Sequence, residues 1–334
     1  MFLRNNYKDS ALHTISDSFK GIAEVNIQKD LSYFYDANDP RLYYDFFNSS
    51  LKKGIKLLFI PRLTHPEYLY FELQNRLNTR FEIVFSIFAF ELFSTSKARR
   101  LALAKLSHSK RIKKIIVHNI LGSKYSLPEE LDDTNFNTSK LVFLDEPFYE
   151  DEALYESSKM HKSKSRKEKI GLYFGNMFYG KGVDILANAA NYIESNTLIK
   201  FCGNFKSLNF PLPKINSSRA IIEDRFFSTE DMIDEFTQAD FIILPYRKTY
   251  IHGTSGVLIQ AVRAGKPVIV PNFPPFDRVI KEFAIGKLFE PEDVLSLAQT
   301  IDLLSKDPKR YDSMISQYIN TRTTWEDIIH EVLN

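Results

Sequence analysis

Short β-branched and aromatic runs alternate with stretches of helical period along most of this chain. In the first half, the runs at 2–4, 23–27, 56–60, 83–87, 114–118 and 141–144 predict strands. Between several of them the apolar positions take a helical spacing, for example over 68–77 and 98–107. The second half repeats the alternation, with strands expected at 170–174, 198–202, 220–222, 241–244, 267–270 and 287–289. Helices are expected over 183–192, 229–238, 256–264 and 294–304. Strands separated by helices call for parallel pairing, with helices on both faces of each sheet. A last amphipathic stretch, 325–333, carries the only tryptophan.

The alternation breaks once. Residues 157–169 read SSKMHKSKSRKEK, polar, basic and free of aromatic side chains. This is linker chemistry, although a solvated loop inside one domain has the same composition. The predicted organisation is an N-terminal Rossmann-like domain over 1–155, a linker over 156–169 and a second Rossmann-like domain over 170–315. A C-terminal helix over 316–334 is expected to cross back to the first domain. A length of 334 residues suits two cores better than one.

Bulk composition narrows the class further. Hydrophobic residues make up 44% and charged residues 26%, a globular balance, and the formal net charge of +2 gives no field for nucleic acid. The lone Cys202 cannot form an internal disulfide, which fits a reducing compartment. The N-terminus has no apolar signal core, and the longest apolar run, 83–90, is too short to span a membrane. A cytoplasmic protein is expected, with contact at the inner face of an anionic membrane left open by the basic stretch 97–114. An ordinary solvated helix is the simpler reading of that stretch.

Two segments carry candidate chemistry. Residues 175–182, GNMFYGKG, follow a predicted strand and open a helix, where backbone amides and Lys181 can meet phosphate. The segment nearly matches the phosphate loop of NTPases, but Gly182 stands where that loop needs a hydroxyl for magnesium. Residues 252–256, HGTSG, precede VLIQAVRAGKPVIVP. Thr254 or Ser255 can cap that helix, Gly256 permits close approach, and the amides of 255–257 carry the positive end of the helix dipole. Gln260 lies one turn further in, within reach of a sugar hydroxyl. An ordinary capped helix reads the same way. Both segments, however, sit at carboxyl ends of predicted strands, the edge where open α/β sheets bind ligands.

These motifs resemble the donor domain of GT-B glycosyltransferases, family 4 (group 1) in particular. The matching order is GNMFYGKGVDIL, IKFCGN, STEDMIDEFTQADFIILPY, SGVLIQAVRAGKPVIV and GKLFEPED, with 239–271 the most diagnostic. The resemblance implies a GT-B fold, two Rossmann-like domains facing each other across a cleft, and a nucleoside diphosphate sugar as donor substrate rather than a cofactor. It implies that Lys181, Ser255 and Gly256, with neighbouring Gly175, Asn176, Thr254 and Val257, hold the diphosphate. Gly203 and Asn204 should line the cleft, and Arg225 and Phe227 should lie near the base. His252 and Gln260 occupy the places of the family's two acidic residues, so His252 would contact the donor sugar and Gln260 the ribose.

With both carboxylates replaced, neutralisation of the leaving group would fall on Lys181 and the helix dipole. The implied reaction is transfer to an acceptor hydroxyl in polysaccharide or other glycan synthesis, with retention as in family 4. No D-x-D triplet or metal-ligand cluster occurs, so no metal is expected. Glu91 and His118, at predicted strand ends, are candidates for an acceptor-side base, although a structural or solvent-facing role is the simpler reading of each, and His13 is a weaker candidate. Glu223 and Asp224 read as solvated carboxylates. The alternatives are a catalytically weak subunit that binds or scaffolds an active transferase and, less simply, an epimerase of the same fold.

Overall fold

The computed structural model describes residues 57–60, 63, 65–75, 81–88, 92, 96–121, 136–145, 147, 168–204, 215, 218–250 and 255–334. The chain divides into two compact units, Met1–Asp151 with Thr323–Asn334, and Glu152–Arg322. The expected strands at 2–4 and 23–27 lie outside the described residues, as do His13, Glu91, His252, Thr254 and nearly all of the basic linker.

In the first unit four parallel strands pair in chain order: β1 (Leu57–Ile60), β2 (Glu82–Phe88), β3 (Ile112–Asn119) and β4 (Leu141–Asp145). Strand β2 is buried after Glu82 because helices and neighbouring strands cover both its faces. Helix α1 (Pro66–Asn75) and helix α2 (Lys97–His108) are the crossovers. Ser96 caps α2 by accepting from Arg99 N. Helix α2 buries Ala102, Leu103 and Leu106 and exposes Lys97, Leu101, Lys105 and His108.

The last helix belongs to this unit rather than to the one that precedes it in sequence. Its start is fixed by a capping box in which Thr324 and Asp327 satisfy each other's amides. Ile328, Ile329 and Val332 then pack against Phe59, Val84 and Ile116. Asp145 and Thr323 exchange two hydrogen bonds of 3.2 Å at the point of return, and Lys114 Nζ reaches Glu331 at 2.8 Å.

The second unit is a six-stranded parallel sheet of β5 (Lys169–Phe174), β6 (Thr197–Gly203), β7 (Ala220–Asp224), β8 (Phe241–Ile243), β9 (Val268–Pro271) and β10 (Gly286–Phe289). Their order is β10-β9-β8-β5-β6-β7. The chain therefore builds outward from β5 in one direction and then from β8 in the other. That reversal is the topological switch point of a doubly wound sheet, and it opens a crevice beyond the carboxyl ends of β5 and β8. Asp240 fixes the junction between those two strands, accepting Ile170 N at 2.9 Å and pairing with Lys169 at 3.2 Å. The Ala-Asp pair before β8 is thus a structural clasp.

The crossover helices are α3 (Val183–Ala189), α4 (Thr229–Gln238), α5 (Gly256–Arg263), α6 (Phe276–Phe283) and α7 (Val294–Ser305), followed by α8 (Asp312–Asn320). Helix α3 stops short of the expected residue 192. The amides of Asn191 and Tyr192 tighten to i−3 acceptors, and the Asp302 carboxylate takes the amides of Glu194 and Ser195. Helix α6 was hidden in the sequence by its Pro274-Pro275 start, which reads as a turn; Phe276 and Val279 bury it.

Candidate functional site

The site is built on the carboxyl edge of the second sheet, and glycines set its spacing. A Cβ on Gly203 would lie 1.9 Å from the carbonyl oxygen of Gly175, so the ends of β5 and β6 touch backbone to backbone. Gly175 adopts φ +115° and donates its amide to Cys202 O at 2.9 Å. Beyond it a short 3-10 turn, Tyr179–Lys181, leads to Gly182 at φ +62°, where a Cβ would lie 1.9 Å from Pro245 O. Arg247 N donates to Gly180 O at 3.0 Å. The loop after β5 is thereby pinned to the segment after β8, on either side of the switch point.

That pinning delivers Lys181 to Tyr246. The ammonium donates to Tyr246 Oη at 2.8 Å and to Tyr250 Oη at 3.2 Å. It lies 4.0 Å and 4.4 Å from the centres of the same two rings, and 5.9 Å from that of Phe178. Tyr246 Oη is in turn 2.9 Å from Ser255 Oγ, which caps α5 by accepting Leu258 N at 3.1 Å. One hydroxyl therefore connects Lys181 to the helix start that the sequence placed beside it. The side chain of Lys181 keeps some contact with solvent, yet burial of its ammonium holds its pKa below the usual lysine value. Burial pushes Tyr246 and Tyr250 up, so both hydroxyls stay protonated.

The donors outnumber the acceptors here. An ammonium offers three protons, each tyrosine and Ser255 one, while hydroxyl oxygens are the acceptors that meet the ammonium among the described residues. Lys181 makes no ion pair with a described carboxylate. The neighbouring cation behaves oppositely: Arg247 is held by Asp184 and by Glu292 at 3.3 Å, and stacks on Tyr179 at 4.1 Å. A desolvated cation without an anion is costly, so this corner of the sheet is complementary to a negatively charged group.

The other expected residues divide. Gly175 approaches Val257, whose Cγ2 is the nearest atom to a Cβ built there, at 3.7 Å. A Cβ on Gly256 would meet no protein atom within 4 Å, so nothing in the fold itself demands glycine at that exposed position. Asn176 is exposed, and its carbonyl lies 3.5 Å from Tyr173 Oη. Asn204 joins through its backbone, accepting Met177 N at 3.4 Å. Gln260 is half-buried on α5. Arg225 follows β7, donates its amide to Gly203 O at 3.1 Å and stacks its guanidinium 3.8 Å above Phe227. Glu223 and Asp231 hold that guanidinium at 3.3 and 3.0 Å.

One expectation needs correction, and the choice left open at His118 is decided for a structural role. Glu223 is no free surface carboxylate: Lys200 pairs with it at 2.7 Å and with Glu235 at 2.6 Å, and those hydrogen bonds hold Glu223 below its usual range. Cys202, Glu223 and Glu235 come close enough for a shared ion, but the Lys200 ammonium already serves both carboxylates. His118 is buried at 3% exposure, with Nδ1 3.0 Å from Asp145 O and its ring beside Phe88, which is a core position rather than that of a base facing substrate. Tyr246 entered the sequence reading only as the end of the diagnostic run FIILPY, with no role assigned, and Tyr250 and Arg247 did not enter it.

Two Rossmann-like units, each on a parallel sheet, define the GT-B class of fold. HepE from Anabaena in complex with UDP superposes with a TM-score of 0.66 at 13% identity, covering 88% of this chain and 82% of that one. Sucrose-phosphate synthase from Thermosynechococcus elongatus gives 0.64 at 16%, covering 87% and 75%. WaaG, a glycosyltransferase involved in lipopolysaccharide biosynthesis, gives 0.59 at 13%, covering 99% and 96%. Residues 156–321, which span almost the whole second unit, match the family model of glycosyl transferases group 1. No curated protein matches the chain by sequence.

Proposed function

We propose that this chain is a glycosyltransferase that moves a sugar from a nucleoside diphosphate sugar to an acceptor hydroxyl. The observation that carries the proposal is the Lys181 ammonium, which meets no carboxylate among the described residues and is joined through Tyr246 to the start of α5 at the switch point. A departing diphosphate supplies the missing anion. Its charge grows as the glycosidic bond breaks, so a fixed cation and oriented amides stabilise the transition state more than the bound donor. Lys181 and the amides of Gly256 and Val257 are the proposed diphosphate contacts, with Ser255 setting their place. Arg225 and Phe227 offer a planar surface for the base. Gln260 is the proposed ribose contact, and His252 the proposed contact with the donor sugar.

Retention at the anomeric carbon and independence of metal are part of the same proposal. A lysine and a helix terminus do the work that a divalent ion does elsewhere. The match of 156–321 to the group 1 model supports this choice of chemistry, and the UDP complex of HepE makes uridine diphosphate the first ligand to try. Among the described residues no helix is long and apolar enough to cross a membrane. The exposed face of α2, where Leu101 stands one turn from Lys97 and from Lys105, is the proposed contact with anionic lipid that would carry a lipid-linked acceptor. A second reading, a scaffold subunit, draws on the missing acidic pair at His252 and Gln260.

Titration calorimetry with uridine, guanosine and adenosine diphosphates, followed by sugar-release assays with the matching nucleotide sugars, tests the proposal. Binding of a nucleoside diphosphate and metal-free turnover are expected. Binding without turnover in any acceptor mixture would favour the scaffold. Failure of every nucleotide to bind would remove the proposal.

A further inference from the structure

Tyr246 is absent from the chemistry the sequence suggested, yet it is the atom-by-atom connection in the site. Its side chain is 1% exposed, and its ring packs against Tyr250 at 4.6 Å and edge-on to Phe276 at 5.4 Å. The ring therefore has no freedom to swing. Among the described residues its hydroxyl has two hydrogen-bonding neighbours: the Lys181 ammonium, which can only donate, and Ser255 Oγ. The phenolic oxygen must accept from lysine. If its proton then points to Ser255 Oγ, that oxygen receives both Tyr246 and Leu258 N, and the serine hydroxyl keeps its own proton to donate.

We propose that Tyr246 is a positioning residue, whose single hydroxyl ties the Lys181 ammonium to the capping serine of α5 so that cation and helix start hold a fixed spacing for the two phosphates of a nucleoside diphosphate. The inference rests on the function proposed above. It adds that the spacing is set by a residue that does not touch the ligand. Tyr250 makes a similar contact to lysine but, among the described residues, has no bond to the cap, so it steadies the ammonium without setting its distance from α5.

The test uses uridine diphosphate affinity, measured by calorimetry from neutral to alkaline pH on the wild type, Lys181→Met, Tyr246→Phe, Ser255→Ala and the Tyr246→Phe/Ser255→Ala double variant. Ionisation of the ligand is common to all five and cancels in the comparison. Tyr246→Phe removes one oxygen that accepts from the charged lysine, so the pH at which affinity starts to fall should drop by about half a unit or more. A merely structural tyrosine would lower affinity without moving that pH. The two single variants should each weaken binding, by roughly 5- to 20-fold, and the double variant should lose no more than about 2-fold beyond the worse single. Should Tyr246→Phe fail to fold, Ser255→Ala alone carries the test, because releasing the far end of the tie must also move the alkaline limit downward.

Wild-type binding that Lys181→Met abolishes, combined with an unmoved alkaline limit and additive losses, would overturn the role of Tyr246 while leaving the proposed function standing. Absence of binding by the wild type would remove both.

Discussion

Replacing Lys181 with methionine should have opposite consequences for the free protein and for the complex. Methionine keeps an unbranched apolar stem among Tyr246, Tyr250 and Phe178, and its thioether packs well against aromatic rings. What disappears is a cation with two hydroxyl contacts, at 2.8 and 3.2 Å, and no carboxylate. Those contacts contribute about 1.5–3 kcal/mol each, whereas desolvating an ammonium costs several kcal/mol. The terms nearly cancel, so the free variant should melt within a few degrees of the wild type. In the complex nothing offsets the loss. Removing one member of a buried charge pair costs about 2–4 kcal/mol, or roughly 30- to 1000-fold in affinity for uridine diphosphate. Thermal denaturation and calorimetry on the same preparations read both numbers. The reasoning fails if the variant is strongly destabilised while its nucleotide affinity is unchanged, since Lys181 would then be a structural cation.

The same lysine sets a pH dependence. Its folded pKa lies below the unfolded value, so in the free protein the burden of its charge is fully present at low pH. It is relieved as pH rises from the folded value toward the ordinary lysine value. Ligand affinity runs the other way and should fall over that window, and Lys181→Met should flatten the fall in calorimetry across pH. Gly203→Ala would drive a methyl to 1.9 Å from Gly175 O; forcing the two strand ends apart should cost about 1–3 kcal/mol and weaken nucleotide binding together, seen by denaturant titration and calorimetry. Asp240→Ala removes the clasp between β5 and β8 without touching the site, so stability should drop by about 1–2 kcal/mol while the free energy of nucleotide binding stays unchanged in the same two measurements. Ile328→Ala opens a cavity where the last helix, Trp325–Leu333, meets β1, β2 and β3 and should cost about 2–5 kcal/mol in urea unfolding, again without changing affinity for nucleotide.

Much of the second sheet was legible because its central strands β8 and β9 are runs buried throughout, bounded by helices of regular period. Helix α4 is an example. Ser228 and Asp231 form its capping box, and its expected limits, 229 to 238, are the observed ones. Helix α6 was not legible, because proline pairs and a short apolar stripe look like a loop until Phe276 finds the core. In the site, the residues whose role is written in the backbone were visible: glycine at Gly175, Gly182 and Gly203, and a hydroxyl at Ser255. Tyr246 was not, because its partners are 65 residues and 9 residues away and only the sheet order brings them to one point. His118 stayed open between a base and a structural residue for a related reason. A histidine at a strand end is polar in sequence, but here its ring is enclosed by Phe88 and the end of β4.

The contrast between Lys181 and Arg247 carries the functional argument further than either residue alone. Both are basic and both lie where the loops after β5 and β8 meet, but the sequence singled out Lys181 alone. The structure gives Arg247 two carboxylates, from Asp184 and Glu292, together with the carbonyl of Tyr179 at 3.2 Å. Its charge is consumed in fastening the loop of 176–182 to the body of the unit. Lys181, on that same loop, meets neutral hydroxyls and ring faces, which orient an ammonium without cancelling its field. One cation thus builds the site and the other remains electrostatically available. A carboxylate at Gln260 would weaken that field if it turned toward Lys181; the amide that stands there carries no charge. The test is to restore the charge. Gln260→Glu should lower affinity for uridine diphosphate if the new carboxylate faces the phosphates, and raise it if the carboxylate reaches the ribose hydroxyls. Adding salt separates the outcomes, because screening softens the first effect more than the second.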